Sequence, residues 1–212
     1  ARADDLSEPS FLSSLIAMMA ADPSISMGFC VSKSLDAPAL HTGYKPFFSI
    51  IEPDTMSRSE IFDGHEFISR FLSIKNPILN VSSVLWRREA LIRALAGCQA
   101  ELDRYRVVGD WRIYLECLSA PGAKLAFVSE PLNIYRRHPR DVTDSADAQQ
   151  YLDEINYIHR MIRERWSLPP ATLASQAQYL DEVSQQWLGA AVLANPLRND
   201  RRHDKRSEEV AL

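Results

Sequence analysis

The sequence is short of the residues that mark several common protein classes. It has three cysteines, Cys30, Cys98 and Cys117, with no CxxC spacing, each set inside an apolar or helical pattern. That argues against a disulfide framework or a cysteine-rich zinc site and fits a reducing compartment. Seven glycines and twelve prolines among 212 residues exclude a collagenous or low-complexity chain. The longest unbroken apolar run, Leu15 to Ala21, is far too short to span a bilayer, and no signal-peptide pattern precedes it. Basic residues are not in excess: 24 Lys and Arg against 28 Asp and Glu leave a formal charge of −4, which gives no footing for general nucleic-acid binding. There is no internal repeat, no Gly-rich phosphate loop, no GxSxG elbow and no HExxH pair.

What is present reads as a globular chain, 46% apolar and 25% charged, long enough to bury a core as one domain or one domain with an appendage. It opens on Ala1 in what looks like mid-domain, and is expected to be a segment of a longer polypeptide. Ser7-Glu8-Pro9 reads as a helix start, and Phe11, Leu15, Met18 and Met19 follow at helical spacing until Asp22-Pro23. Ile25 to Val31 reads as a strand. Residues 34 to 63, rich in Pro, Ser and Asp, read as a long irregular loop. Glu66 to Ile74 is weakly helical, Val81 to Trp86 a strand and Arg88 to Leu95 a short helix. Gly109-Asp110 opens an amphipathic helix with Trp111, Tyr114, Leu115 and Leu118 on one face. Leu125 to Val128 and Leu132 to Tyr135 read as strands separated by Glu130-Pro131. Beyond residue 144 the pattern is purely helical. Tyr151, Leu152, Ile155, Ile158, Ile162 and Trp166 mark one long helix, and Leu173, Ala177, Leu180, Trp187, Leu188 and Ala191 mark a second. The charged residues after 198 are expected to form a solvated tail. Strands alternating with helices, then helices alone, predict an α/β core with a helical appendage.

Three places carry candidate chemistry. Asp4-Asp5, an acidic pair before a helix, suits a hard divalent cation and a diphosphate, or else is a pair of solvated first-turn charges. Asp110, one residue after a glycine at a helix start, either caps that helix or presents a carboxylate to a cleft as a general base. His138, after Arg136 and Arg137 at a strand end, could ligate a metal or steady phosphate oxygens, or belong to a surface basic cluster. Asn80-Val81-Ser82 matches a glycosylation acceptor but opens a strand. Trp86 and Trp111 suit either a sugar platform or the core. Glu130 could in principle pair with Asp110 as a two-carboxylate hydrolase, but it sits before a proline in a turn.

Taken in order, these stretches resemble family 2 glycosyltransferases. Ala3-Asp4-Asp5-Leu6 with Pro9-Ser10-Phe11-Leu12 is similar to that family's "ADD…P.FL" segment. Residues 80 to 91 resemble its acceptor-side strand and helix, and Gly109-Asp110-Trp111 stands where its catalytic base stands. Glu130 to His138 with Val142-Thr143 resembles its closing "epL.yyR.H..svt" segment. The resemblance covers roughly residues 3 to 145.

It implies a partial GT-A fold, a mixed sheet with flanking helices, over residues 1–145, followed by a helical hairpin over 146–197 and a charged tail over 198–212. It also implies an inverting transferase that moves a sugar from a nucleotide-sugar donor to a saccharide or glycoconjugate acceptor. Asp5 would be a ligand of a divalent Mg²⁺ or Mn²⁺, with Asp4 at the metal or ribose. Asp110 would be the base, and His138, with Arg136 or Arg137, would meet the diphosphate or the ion. The nucleoside-binding βαβ units belong before Ala1, so the segment alone is expected to be inactive. Further domains of the same polypeptide, a cytoplasmic location at the inner membrane face, peripheral membrane contact at most and a role in cell-surface polysaccharide assembly are expected with it. The competing expectation is an interaction module that keeps the fold without the chemistry, and a glycoside hydrolase stands third.

Overall fold

The computed structural model describes residues 5–34, 55–135 and 148–194, with side chains as far as residue 186. The chain is mixed α/β. Strand β1 (Leu6–Ser7) leads to helix α1 (Phe11–Ala20) and strand β2 (Ile25–Ser34). Strand β3 (Glu60–Asp63) runs into helix α2 (Gly64–Phe67), which continues as a π-helical turn over Ile68–Leu72. A 3₁₀ turn (Val81–Ser83) precedes β4 (Val84–Trp86), helix α3 (Arg88–Leu102) and helix α4 (Gly109–Leu118). Strand β5 (Lys124–Tyr135) and helices α5 (Ala148–Arg165) and α6 (Pro170–Ala194) complete the described chain.

The sheet is built around β5. Its one edge pairs in parallel with β2, which in turn pairs antiparallel with β4. Its other edge is shared, β3 lying antiparallel along residues 124–127 and β1 antiparallel at Asn133 and Ile134. Successive strand side chains point to opposite faces, and in β2 and β5 both faces are apolar because both are covered. Met27, Phe29, Leu125 and Phe127 enter the main core, whereas Ile25, Cys30, Ala126 and Val128 meet α1. Gly28 lets α1 lie close: a Cβ there would stand 3.3 Å from both Leu15 Cδ2 and Met19 Sδ. The three cysteines are free and buried.

The other face carries the remaining helices. Leu152, Ile155, Ile158 and Ile162 of α5 recur three or four residues apart and are buried in the same core as Phe29, Trp111, Leu115 and Phe127. The helical pair therefore shares its apolar interior with the sheet. In α6 the inward face is rotated from the one the apolar pattern suggests. Leu173 and Ala177 are exposed, while Gln176 and Val183 are buried. Gln176 holds its inner place because its Nε2 donates to the Ser73 carbonyl at 2.6 Å and its Oε1 accepts from Arg163.

Several local expectations shift. Ser7 lies in β1 and pairs with Asn133, and the helix begins at Phe11 after Ser10. Val81–Ser83 is a 3₁₀ turn because the Asn80 side chain accepts from Ser82 N at 2.9 Å. Helix α3 extends to Leu102, its inward face being the small residues Ala90, Ala94 and Cys98, which carry little hydrophobic signal. Glu130-Pro131 lies within one continuous strand rather than between separate strands. It forms an irregularity inside β5, where the partner of Cys30 is Val128 and that of Val31 is already Pro131. Proline supplies no ladder donor, and such a bulge accommodates it.

Candidate functional site

The site begins with the first turn of α4. Asp110 is the second residue of that helix rather than its cap, which is Val108. Its Oδ1 accepts from Trp111 N at 2.7 Å. Among the described residues no side-chain donor is bonded to the carboxylate, and burial pushes its pKa up to about 6 against the pull of first-turn backbone amides. The residue is half-buried, and it lines a cleft of about 210 Å³ with Asn76, Ile78, Leu79, Val107, Val108, Trp111, Tyr151 and Tyr179.

Each wall of the cleft is held from elsewhere in the chain. Trp111 is buried, and its Nε1 donates to the Leu72 carbonyl at 3.0 Å. The stretch after the π-helical turn is gripped by the hairpin: His159 Nε2 lies 2.8 Å from the Ile74 carbonyl, and Gln176 bonds that of Ser73. His159 also meets the Trp111 ring edge to face at 5.8 Å, and burial lowers its pKa to about 4. Burial likewise lowers the neighbouring Lys75 amine to about 8, with Glu182 acting the other way. Asn76 Oδ1 accepts from Ile78 N at 3.0 Å, a local turn of the kind asparagine favours.

The loop entering α4 is fixed by a residue outside the expected site. Glu154, buried on α5, accepts from the backbone N–H groups of Arg106, Val107 and Val108 at 2.8, 2.9 and 3.1 Å. Unpaired N–H groups and a positive dipole end gather at a helix N-terminus, and a carboxylate stabilises both. An inward glutamate on a helix face of Leu, Ile and Met was the available signal.

Asp5 lies just ahead of β1, and its Oδ2 accepts from Asn80 Nδ2 at 3.1 Å and Ser82 Oγ at 2.6 Å. The same short stretch, residues 76–82, therefore lines the Asp110 cleft at one end and holds Asp5 at the other. The remaining expected site residues, Asp4, Arg136, Arg137 and His138, lie outside the described residues. Among the described residues no three His, Cys, Asp or Glu side chains cluster in a way that could hold a metal.

The other candidates are also placed. The side-chain amide of Asn80 is engaged with Asp5 and Ser82. Trp86 stacks on Tyr114 at 5.6 Å. Glu130 is exposed on β5 and is not among the residues lining the cleft, where Asp110 is the sole carboxylate among the described residues. Among the described residues no helix is long and apolar enough to cross a membrane. No protein-family model matches the sequence, and no curated protein does.

Proposed function

We propose that this chain is the acceptor-side portion of an inverting, family 2 glycosyltransferase of GT-A fold, and that Asp110 is its general base. The observation that carries the reading is the Asp110 carboxyl. It lines a cleft at a helix start, burial has raised its pKa to about 6, and it stands where the resemblance puts the base. A base poised near neutrality is deprotonated at working pH yet basic enough to take a proton in the transition state.

An acceptor hydroxyl in the cleft would donate a hydrogen bond to the carboxylate. As its oxygen attacks the anomeric carbon of the donor sugar, its proton passes to Asp110. The bond from that carbon to the phosphate oxygen breaks from the opposite side, inverting the centre and releasing the nucleoside diphosphate. In this reading Asp5, Asp4 and His138 would hold a divalent Mg²⁺ or Mn²⁺, which would supply electrostatic stabilisation of the leaving group's charge. Of the residues expected to hold the ion, Asp5 alone is described, and one carboxylate does not make a magnesium site. The steps above therefore rest on Asp110. The same reading places the protein in cell-surface polysaccharide or glycoconjugate assembly on the cytoplasmic side, working with a nucleotide-sugar donor and further domains of its polypeptide.

The test joins this chain to the nucleotide-binding units expected before residue 1. It measures nucleoside-diphosphate release from UDP- and GDP-sugars with Mg²⁺ or Mn²⁺ and saccharide acceptors. Asp110→Asn should lower turnover about 100-fold or more while the protein stays folded. Turnover that survives this substitution removes the base. Absence of turnover with every donor favours an interaction module that keeps the fold alone.

A further inference from the structure

We propose that helices α5 and α6 form the wall of the acceptor site, with Tyr151, Tyr179 and Asn76 binding a single, uncharged sugar ring whose hydroxyl faces Asp110. This rests on the transferase reading and adds to it the acceptor chemistry and the residues that select it.

The chemistry of the cleft argues for a neutral polyol. Its nine lining residues among those described bring one carboxylate and no cation, so a phosphate or nucleoside diphosphate would meet repulsion from Asp110. Polar groups alternate with Ile78, Leu79 and Val107, which suits a ring that presents hydroxyls at its edge and C–H groups on its faces. At about 210 Å³ the space lies below the roughly 300–1,000 Å³ of drug-sized sites, enough for one ring rather than a chain.

The hydrogen-bonding groups are set in advance. The Tyr151 and Tyr179 side chains interact across the two helices, and burial raises both their pKa values, so both are neutral phenols. A phenol both donates and accepts, as a sugar hydroxyl does. Asn76 has its Oδ1 committed to Ile78 N, and among the described residues its Nδ2 amide meets no acceptor. Asp110 accepts. Donor, acceptor and dual groups thus come from three separate stretches of chain around one small space. Placing the tyrosines on the hairpin makes acceptor choice a property of α5 and α6.

The 212-residue chain is mixed with methyl glycosides of glucose, galactose, mannose and N-acetylglucosamine. Binding is read by saturation-transfer NMR and by tryptophan fluorescence, and folding by circular dichroism. At least one glycoside should bind, and Tyr151→Phe should weaken it at least fivefold. Leu79→Trp, at an exposed lining position, should abolish binding without unfolding the chain. UDP should not compete. A folded Tyr151→Phe or Leu79→Trp protein that binds as wild type overturns the proposal, as does failure of every glycoside to bind. In the joined polypeptide, Tyr151→Phe should raise the acceptor KM more than it lowers kcat. Transfer with an unchanged acceptor KM removes the hairpin's role and leaves the transferase standing. Tyrosine-dependent glycoside binding without transfer leaves a sugar site and removes the transferase.

Discussion

Replacing Glu154 tests whether one buried carboxylate holds the first turn of α4 in place. It accepts three backbone N–H bonds, from Arg106, Val107 and Val108, and a fourth from Gln150 Nε2 at 3.1 Å. Hydrogen bonds to a charged group contribute about 1.5–3 kcal/mol each, so the three amide bonds together reach roughly 4–9 kcal/mol. Arg106 is exposed and its amide can turn to water in the variant, whereas Val108 is buried. Glu154→Ala should therefore cost about 3–5 kcal/mol, the range seen when a buried charged partner is removed. In a chain of this size that lowers Tm by about 10 °C. Glu154→Gln should cost about 1–2 kcal/mol. Its carbonyl oxygen can take the place of Oε2, which serves Val107 and Val108, while its amide nitrogen faces the Arg106 donor. Urea denaturation followed by tryptophan fluorescence measures both. An alanine variant that loses under 1 kcal/mol, or a glutamine variant as unstable as alanine, would refute the assignment.

Two further outcomes follow from the same geometry. The Asp110 carboxyl keeps its proton up to about pH 6 in the folded protein but releases it near 3.8 when unfolded, so ionising it lowers stability increasingly from about pH 4 to 6. Asp110→Asn should raise Tm at pH 7.5 and leave it unchanged at and below about pH 4. His159 has the opposite slope. Its pKa is lowered to about 4, so the stability it confers at neutral pH is lost as pH falls from about 6.5. The Asn variant should accordingly gain more stability than wild type between pH 4 and 6.5, and a thermal melt series in matched buffers checks both signs. Separately, a Cβ on Gly64 would stand 2.5 Å from the Leu118 carbonyl oxygen and 2.7 Å from that of Ala123. Both are backbone and cannot swing away, so Gly64→Ala should cost about 2–3 kcal/mol in urea titration.

Much of the local architecture is legible in residue order. The i, i+3, i+4 spacing of Leu152, Ile155, Ile158 and Ile162 marks α5, and the same face is buried. The apolar run from Ile25 marks β2, whose both faces are covered. Elsewhere a specific contact overrules propensity. Pro131 ends strands in general, yet here a bulge lets β5 pass through it, because β2 continues on the other side of the irregularity. Leu173 outranks Gln176 on any hydrophobic scale, yet Gln176 is inside because the Ser73 carbonyl and the Arg163 guanidinium both need it.

The candidate site divides in the same way. Gly109-Asp110 at a helix start, and the acidic residue before Leu6, are visible in the sequence because they depend on neighbours one or two positions away. Sequence order by itself determined that a carboxylate would open α4 and that the last described elements would be amphipathic helices. Only tertiary structure decided that Tyr151 and Tyr179 line one cleft with Asp110, that Glu154 caps the loop before it, and that residues 76–82 link that cleft to Asp5. Those contacts join groups dozens of positions apart. Their partners are chosen by which helix face the core buries, and that is settled by packing rather than by any local pattern.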